Sequence, residues 1–168
     1  MAEQQKAHIN IGLVLAALLV VLDIGLQLSH QKMQPWVLYA NSVVLLVGVV
    51  VAVQLKKGCP EEAVTFSNLL GYGFKVSVVT ACILFLYTIL SIYLLFPGYV
   101  TDVYNLNIAQ AQKADGFDAV KVAQNKDMAI KVIRISTLSS VVMYNLAVGI
   151  VGAALGAIIK LVTGTNKK

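Results

Sequence analysis

The sequence predicts an all-α membrane protein of four transmembrane helices, with a helical extramembrane linker between spans three and four. Three observations carry that reading. Of 168 residues, 58% are hydrophobic and 12% charged, whereas ordinary soluble domains carry roughly 25% charged residues. The apolar residues gather into four runs, at about 9–28, 35–55, 75–97 and 135–162. At about 1.5 Å per residue, each suffices for a hydrocarbon core of roughly 30 Å. The remaining sizeable polar stretch, 98–134, falls between the third and fourth runs. Lipid offers backbone amides no partners, and the runs are too long for the alternating strands of a membrane barrel, so each run is read as a helix.

In the first run, Lys6 precedes an apolar core in the manner of a secretory signal. Asp23 interrupts that core, no small-x-small cleavage pattern follows at 24–29, and a second run begins almost at once. The expectation is a retained helix. The turn at 29–34 is short enough to force spans one and two to be antiparallel neighbours. Trp36 and Tyr39 fall at the depth of an aromatic belt, and Lys56 and Lys57 end the second span.

Two starts are open for the helix leading into span three. Pro60 with Glu61 and Glu62 has a proline at a first helical position and acidic residues against the helix dipole. Alternatively, Thr65 caps a helix that runs straight into the span. In either case Ala63, Phe66, Leu70 and Phe74 recur at helical spacing, which suits an interfacial segment, and Gly71 and Gly73 would allow a bend before Lys75. Span three then carries no charge from Val76 to Phe96 and ends at Pro97-Gly98.

The linker is expected to form two helices divided at Asp115-Gly116. The first has Thr101 or Asp102 as its N-cap. The second starts near Asp118, sets Ala119, Val122, Ala123, Ala129, Ile130 and Ile133 on one face, and continues into span four. So short a segment cannot bury a core of its own, so the chain is read as one domain, 1–168. The last run presents a small-residue face, Gly149, Gly152, Ala153, Gly156 and Ala157, with a GxxxG at Gly152 and Gly156. Such a face admits another helix at close range, from the same bundle or from another chain.

The net charge of +5 comes from basic residues scattered over helix ends, without the patch and interleaved aromatics of a nucleic-acid surface. They read as anchors and topology signals. Seven of the 13 Lys and Arg residues fall on the face shared by the termini and six on the linker face, which places both termini in the cytoplasm.

An ionisable residue inside a span costs roughly 2.5–3.5 kcal/mol on insertion scales and is a functional candidate by default. Asp23 is the acidic one here. Antiparallel threading puts Asn41 near its depth, and the outer halves of spans three and four offer Tyr87, Thr88, Ser91, Ser140 and Tyr144. Together these form a candidate intramembrane polar layer. Asp23 is either a proton- or cation-responsive site or a structural acid. No second acidic residue or lysine lies well inside a neighbouring span, so no proton relay can be drawn.

Other chemistries lack their residues. His8 and His30 stand roughly 30 Å apart along one helix, too far to ligate one haem. Cys59 and Cys82 have no zinc spacing, HExxH is absent, and no third histidine completes a triad. The Gly-Tyr-Gly at 71–73 is too short for a phosphate loop. The expectation is therefore no enzyme, no cofactor and no metal. The partners expected are the lipid bilayer and a membrane protein or further copies of the chain. The function expected is an accessory or scaffold subunit of a membrane complex, with a small transporter or channel component using the Asp23 layer as the alternative.

Thr65-Phe66, the stretch from Gly71 to Lys75, Tyr87, Tyr93 and Phe96-Pro97 are followed by a polar linker and a glycine-rich final helix ending Ile158-Ile159-Lys160. This pattern resembles a family of four-span bacterial membrane proteins of unknown function, found mostly in Bacteroidota. The resemblance implies an inner-membrane location and carries over no activity and no catalytic residues.

Overall fold

The computed structural model of the protein describes residues 2–29, 31–56, 65–113 and 125–165. Among them it is helical, without a strand: α1 (Ala2–Leu28), α2 (Pro35–Leu55), α3 (Phe66–Leu90), α4 (Gly98–Ala111) and α5 (Lys126–Thr165). One π-helical turn, Ser91–Leu95, extends α3. Three helices are long and apolar enough to cross a membrane: Lys6–Leu28 in α1, Phe66–Leu95 through α3 and its π turn, and Lys126–Gly164 in α5. The apolar part of α2, Tyr39–Leu55, is shorter.

Local chemistry explains where the helices begin and end. Proline opens α2 at a position where its missing N–H costs nothing, after an extended Gln34 at φ −75° and ψ 137°. The Thr65 hydroxyl accepts from the Asn68 amide at 3.3 Å, so the second of the two starts is the one observed. Helix α3 then passes through Gly71, Gly73 and Lys75 without interruption, and the interfacial segment and the span are one element. Its last turn widens: the Phe96 amide donates to the Ser91 carbonyl at 2.7 Å, five residues back.

The N-cap expected at Thr101 or Asp102 is corrected. Helix α4 begins at Gly98, directly after Pro97 at φ −62° and ψ −24°. Proline's fixed φ already suits a helix, so the chain turns helical four or five residues sooner, Thr101 closes the first turn and Asp102 lies just past it. The last run lies in one unbroken helix of 40 residues, α5, which begins at Lys126 directly after a turn at Asn125, while the expected start near Asp118 lies outside the described residues. At about 1.5 Å per residue α5 is roughly 60 Å long, twice the hydrocarbon thickness. Expectations resting on His30, Lys57, Cys59, Pro60, Glu61, Glu62, Ala63, Asp115, Gly116, Asp118, Ala119, Val122 and Ala123 lie outside the described residues.

The chain divides into two compact units, Met1–Leu84 with Val142–Lys168, and Phe85–Val141. In the first, Leu15, Ala16 and Leu19 of α1, Leu45, Val49, Ala52 and Val53 of α2, Leu69, Val76 and Ala81 of α3, and Ala153 and Ala157 of α5 are buried. In the second, Ile92 of the π turn and Val100 and Tyr104 of α4 are buried.

Candidate functional site

Asp23 is paired with Lys32, a residue of the short turn between the first two helices and one of the six basic residues of the linker face. Lys32 Nζ donates to Asp23 Oδ2 at 2.8 Å, with the two side chains 19% and 16% exposed. A lysine on a flexible four-carbon stem can reach back from the helix connection while its backbone stays near the interface. Asn41, on α2, has its Oδ1 buried without a hydrogen-bond partner among the described residues, and so does Gln27 Nε2. Gln27 stands one helical turn after Asp23 and was missed, although the i, i+4 spacing on α1 was there to be read.

The other members of the expected layer make different contacts. Tyr144 pairs its hydroxyl with Ser42 Oγ. Tyr87, Thr88, Ser91 and Ser140 belong to the second unit. There the Ser140 hydroxyl donates to the Thr137 carbonyl of its own helix at 3.0 Å, and Ser91 is buried in the π turn.

The small-residue face has a definite occupant. A Cβ at Gly149 would fall on the Ser77 side chain of α3. One at Gly152 would lie 3.0 Å from the Leu46 carbonyl oxygen, and one at Gly156 would lie 2.9 Å from Val53 Cβ and 3.2 Å from Val50 Cα. Ala153 and Ala157 are fully buried, and Gly73 of α3 faces Ala153 so closely that a Cβ there would stand 2.5 Å from the alanine Cβ. The face therefore packs within the unit, against α2 and α3. Helices α1 and α3 approach in the same way: Thr80 Oγ1 donates to the Gly12 carbonyl at 3.2 Å and to its own Val76 carbonyl at 3.0 Å.

One further turn along the α5 ridge, Lys160 ties down the end of α2. Its ammonium donates to the carbonyls of Val53 at 2.9 Å, Gln54 at 2.8 Å and Lys56. Val53 and Gln54 stand in the last turn of α2 and Lys56 is its C-cap, where carbonyls lack helical partners or, at Val53, accept only the cap amide, and a cation is favoured at that end of the dipole. In return, Gln54 Nε2 donates to the Gly156 carbonyl at 2.9 Å, which is reachable because Gly156 has no side chain. Lys56 Nζ lies 5.6 Å from the Tyr72 ring centroid, and His8 of α1 meets the same ring edge-on at 6.3 Å. His8, Lys56, Tyr72 and Lys160 thus link all four helices of the first unit at one end. From the sequence, Lys56 and Lys160 stand out only as anchors and topology signals at helix ends. The clue to Lys160 was its place four residues after Gly156 on the same ridge, although the ridge alone does not name the helix it faces.

These contacts hold helices together, and none presents a nucleophile beside a base. Among the described residues no group of three or more His, Cys, Asp or Glu side chains is placed to hold a metal ion. No curated protein and no solved structure matches the chain. A family profile matches it over residues 9–163, nearly its whole length, and the chain belongs to that family, described as "Protein of unknown function (DUF4199)".

Proposed function

We propose that the chain is a four-span inner-membrane protein, with α2 as the fourth span and both termini in the cytoplasm, acting as a non-catalytic accessory or scaffold subunit of a membrane complex. The observation that carries this reading is the Asp23–Lys32 ion pair. A working transport site needs a charge available to substrate or proton, and this acid is held by a lysine from its own helix connection. Lys160 is likewise engaged with three carbonyls. Membership in a family with no described activity is compatible with this reading.

Since the small-residue face is filled from within, a partner or a second copy has to use another surface. The outer side of α4, where Thr101, Asp102, Asn105 and Leu106 are exposed, supports that role. The test is extraction of the tagged protein from its native membrane in mild detergent, followed by mass spectrometry of what remains bound. A different protein in near-stoichiometric amount is the expected result. A clean homo-oligomer refutes the accessory role.

A second reading, a small transporter or channel component, is favoured by Gln27 Nε2 on the helix of Asp23 and Asn41 Oδ1 on α2, a buried donor and a buried acceptor with no partner among the described residues. Ion flux through vesicles containing the wild type and Asp23→Asn tests it. Flux lost in the variant favours this reading, and absence of flux in the wild type eliminates it.

A further inference from the structure

The second unit holds a permanent cation, Arg134, whose Nε has no partner among the described residues. Arg134 stands on α5 where the last apolar run begins, and Tyr93 sits in the middle of the π turn, three residues before Phe96. The guanidinium carbon lies 5.3 Å from the Tyr93 ring centroid. Arg134 Nε is buried and has no hydrogen-bond partner among the described residues. An arginine does not lose its proton inside a protein, so the donor cannot be silenced by deprotonation. A buried donor without a partner is a gap that an acceptor from outside the chain can fill.

Place and chemistry restrict that acceptor. Both residues mark the ends of apolar runs on the linker side, the depth at which headgroup phosphates lie. Guanidinium matches phosphate oxygens through its planar fork, and the cation–π contact with the Tyr93 ring holds that guanidinium in place. The π turn contributes directly. Its extra residue shifts the register after α3 by about 100°, one residue's rotation, and Tyr93 lies within the shifted turn. Lys126 lies 6.0 Å from the Tyr104 ring centroid in the same unit, but as an ammonium on an exposed residue it offers a point charge and no fork.

We propose that Arg134, oriented by Tyr93, binds the phosphate group of a phospholipid headgroup at the linker-side membrane face. The test uses the full chain in mild detergent, freed of native lipid and titrated with phosphatidylglycerol, with diacylglycerol, which lacks the phosphate, and with inorganic phosphate. Bound species are counted by native mass spectrometry. The expected result is one phosphatidylglycerol per chain, bound at least ~10-fold more tightly than diacylglycerol and not displaced by inorganic phosphate, with Arg134→Gln weakening it ~10-fold and Lys126→Gln leaving it unchanged. Tyr93→Leu, which spares the charge, should weaken it several-fold and serves if Arg134→Gln does not fold. Wild-type binding in either the Arg134→Gln or the Tyr93→Leu variant overturns the site. Arg134-dependent capture of inorganic phosphate at the expense of the lipid overturns the lipid assignment.

Discussion

Gly71 and Gly73 lie two residues apart on α3, yet the same substitution should act on them with opposite sign. A Cβ at Gly73 would stand 2.5 Å from Ala153 Cβ, 2.9 Å from Val53 Cγ2 and 3.0 Å from the Ala153 Cα. Comfortable carbon contacts are about 3.5–4.0 Å, so α3 and α5 would have to part by about 1 Å, because one obstacle is backbone and cannot rotate away. Overpacking of this kind costs about 1–3 kcal/mol. A Cβ at Gly71 would meet nothing within 4 Å, and alanine improves on glycine within a helix by up to about 1 kcal/mol. That helical gain is common to both variants, so the difference between them isolates the packing term: Gly71→Ala should be more stable than Gly73→Ala by about 1–3 kcal/mol. Reversible unfolding in mixed micelles of mild detergent and dodecyl sulfate, followed by far-ultraviolet circular dichroism, measures both. Equal stabilities would refute the close approach of α3 to α5.

Three further outcomes follow from the same contacts. Lys160→Met strips a charged donor from three carbonyls at the end of α2 and should cost about 2 kcal/mol, with faster amide hydrogen exchange at 53–56 as the local readout. For the Asp23–Lys32 pair, Lys32→Gln should destabilise more than Asp23→Asn, since the first strands a carboxylate inside a span while the second leaves a lysine able to reach the interface; thermal unfolding of the two single variants decides, and the reverse order would place Asp23 in water. A cysteine at Gln112, introduced after both native cysteines are replaced, should react with an impermeant maleimide in intact cells. Reaction only after lysis would reverse the proposed orientation.

The helices were readable because chain length and lipid impose them. Any run such as 76–96 with no charge has few alternatives to a helix. Helix ends were readable where an apolar run stops, as at Leu28 and Leu55, or where a side chain does the capping. Thr65 was identifiable on that ground, whereas the start of α4 was set by Pro97 and the π turn before it, and a π turn leaves no mark in the spacing of Ser91, Tyr93 and Phe96. Helix faces were readable and their partners were not. Gly149, Gly152 and Gly156 announce a close approach, but the other helices of the first unit, α1, α2 and α3, are each apolar around most of their circumference, so hydrophobicity could not say that α2 and α3 fill the face. The pairing of Asp23 with Lys32, of Tyr144 with Ser42 and of Lys160 with the end of α2 depends on which helices are adjacent and on the reach of long side chains, and neither is written in local spacing.

The polar groups of the first unit share one use. In a soluble protein, apolar burial drives helices together, but lipid is as apolar as leucine, so packing and interhelical hydrogen bonds must do that work. Thr80 on the Gly12 carbonyl, Gln54 on the Gly156 carbonyl, Lys160 on the end of α2 and Tyr144 with Ser42 are four such bonds. Three of them reach backbone, and two reach a carbonyl exposed because its residue is glycine. Close helix approach and polar locking are thus one device, in which glycine brings the backbones near and uncovers the acceptor. This device predicts how the protein fails: Gly156→Ala should both push Val53 and Val50 of α2 away and break the Gln54 bond, and so should destabilise more than Gln54→Leu, which loses the bond alone. Unfolding in mixed micelles compares them, and equal losses would mean that the glycine serves the hydrogen bond and not the approach.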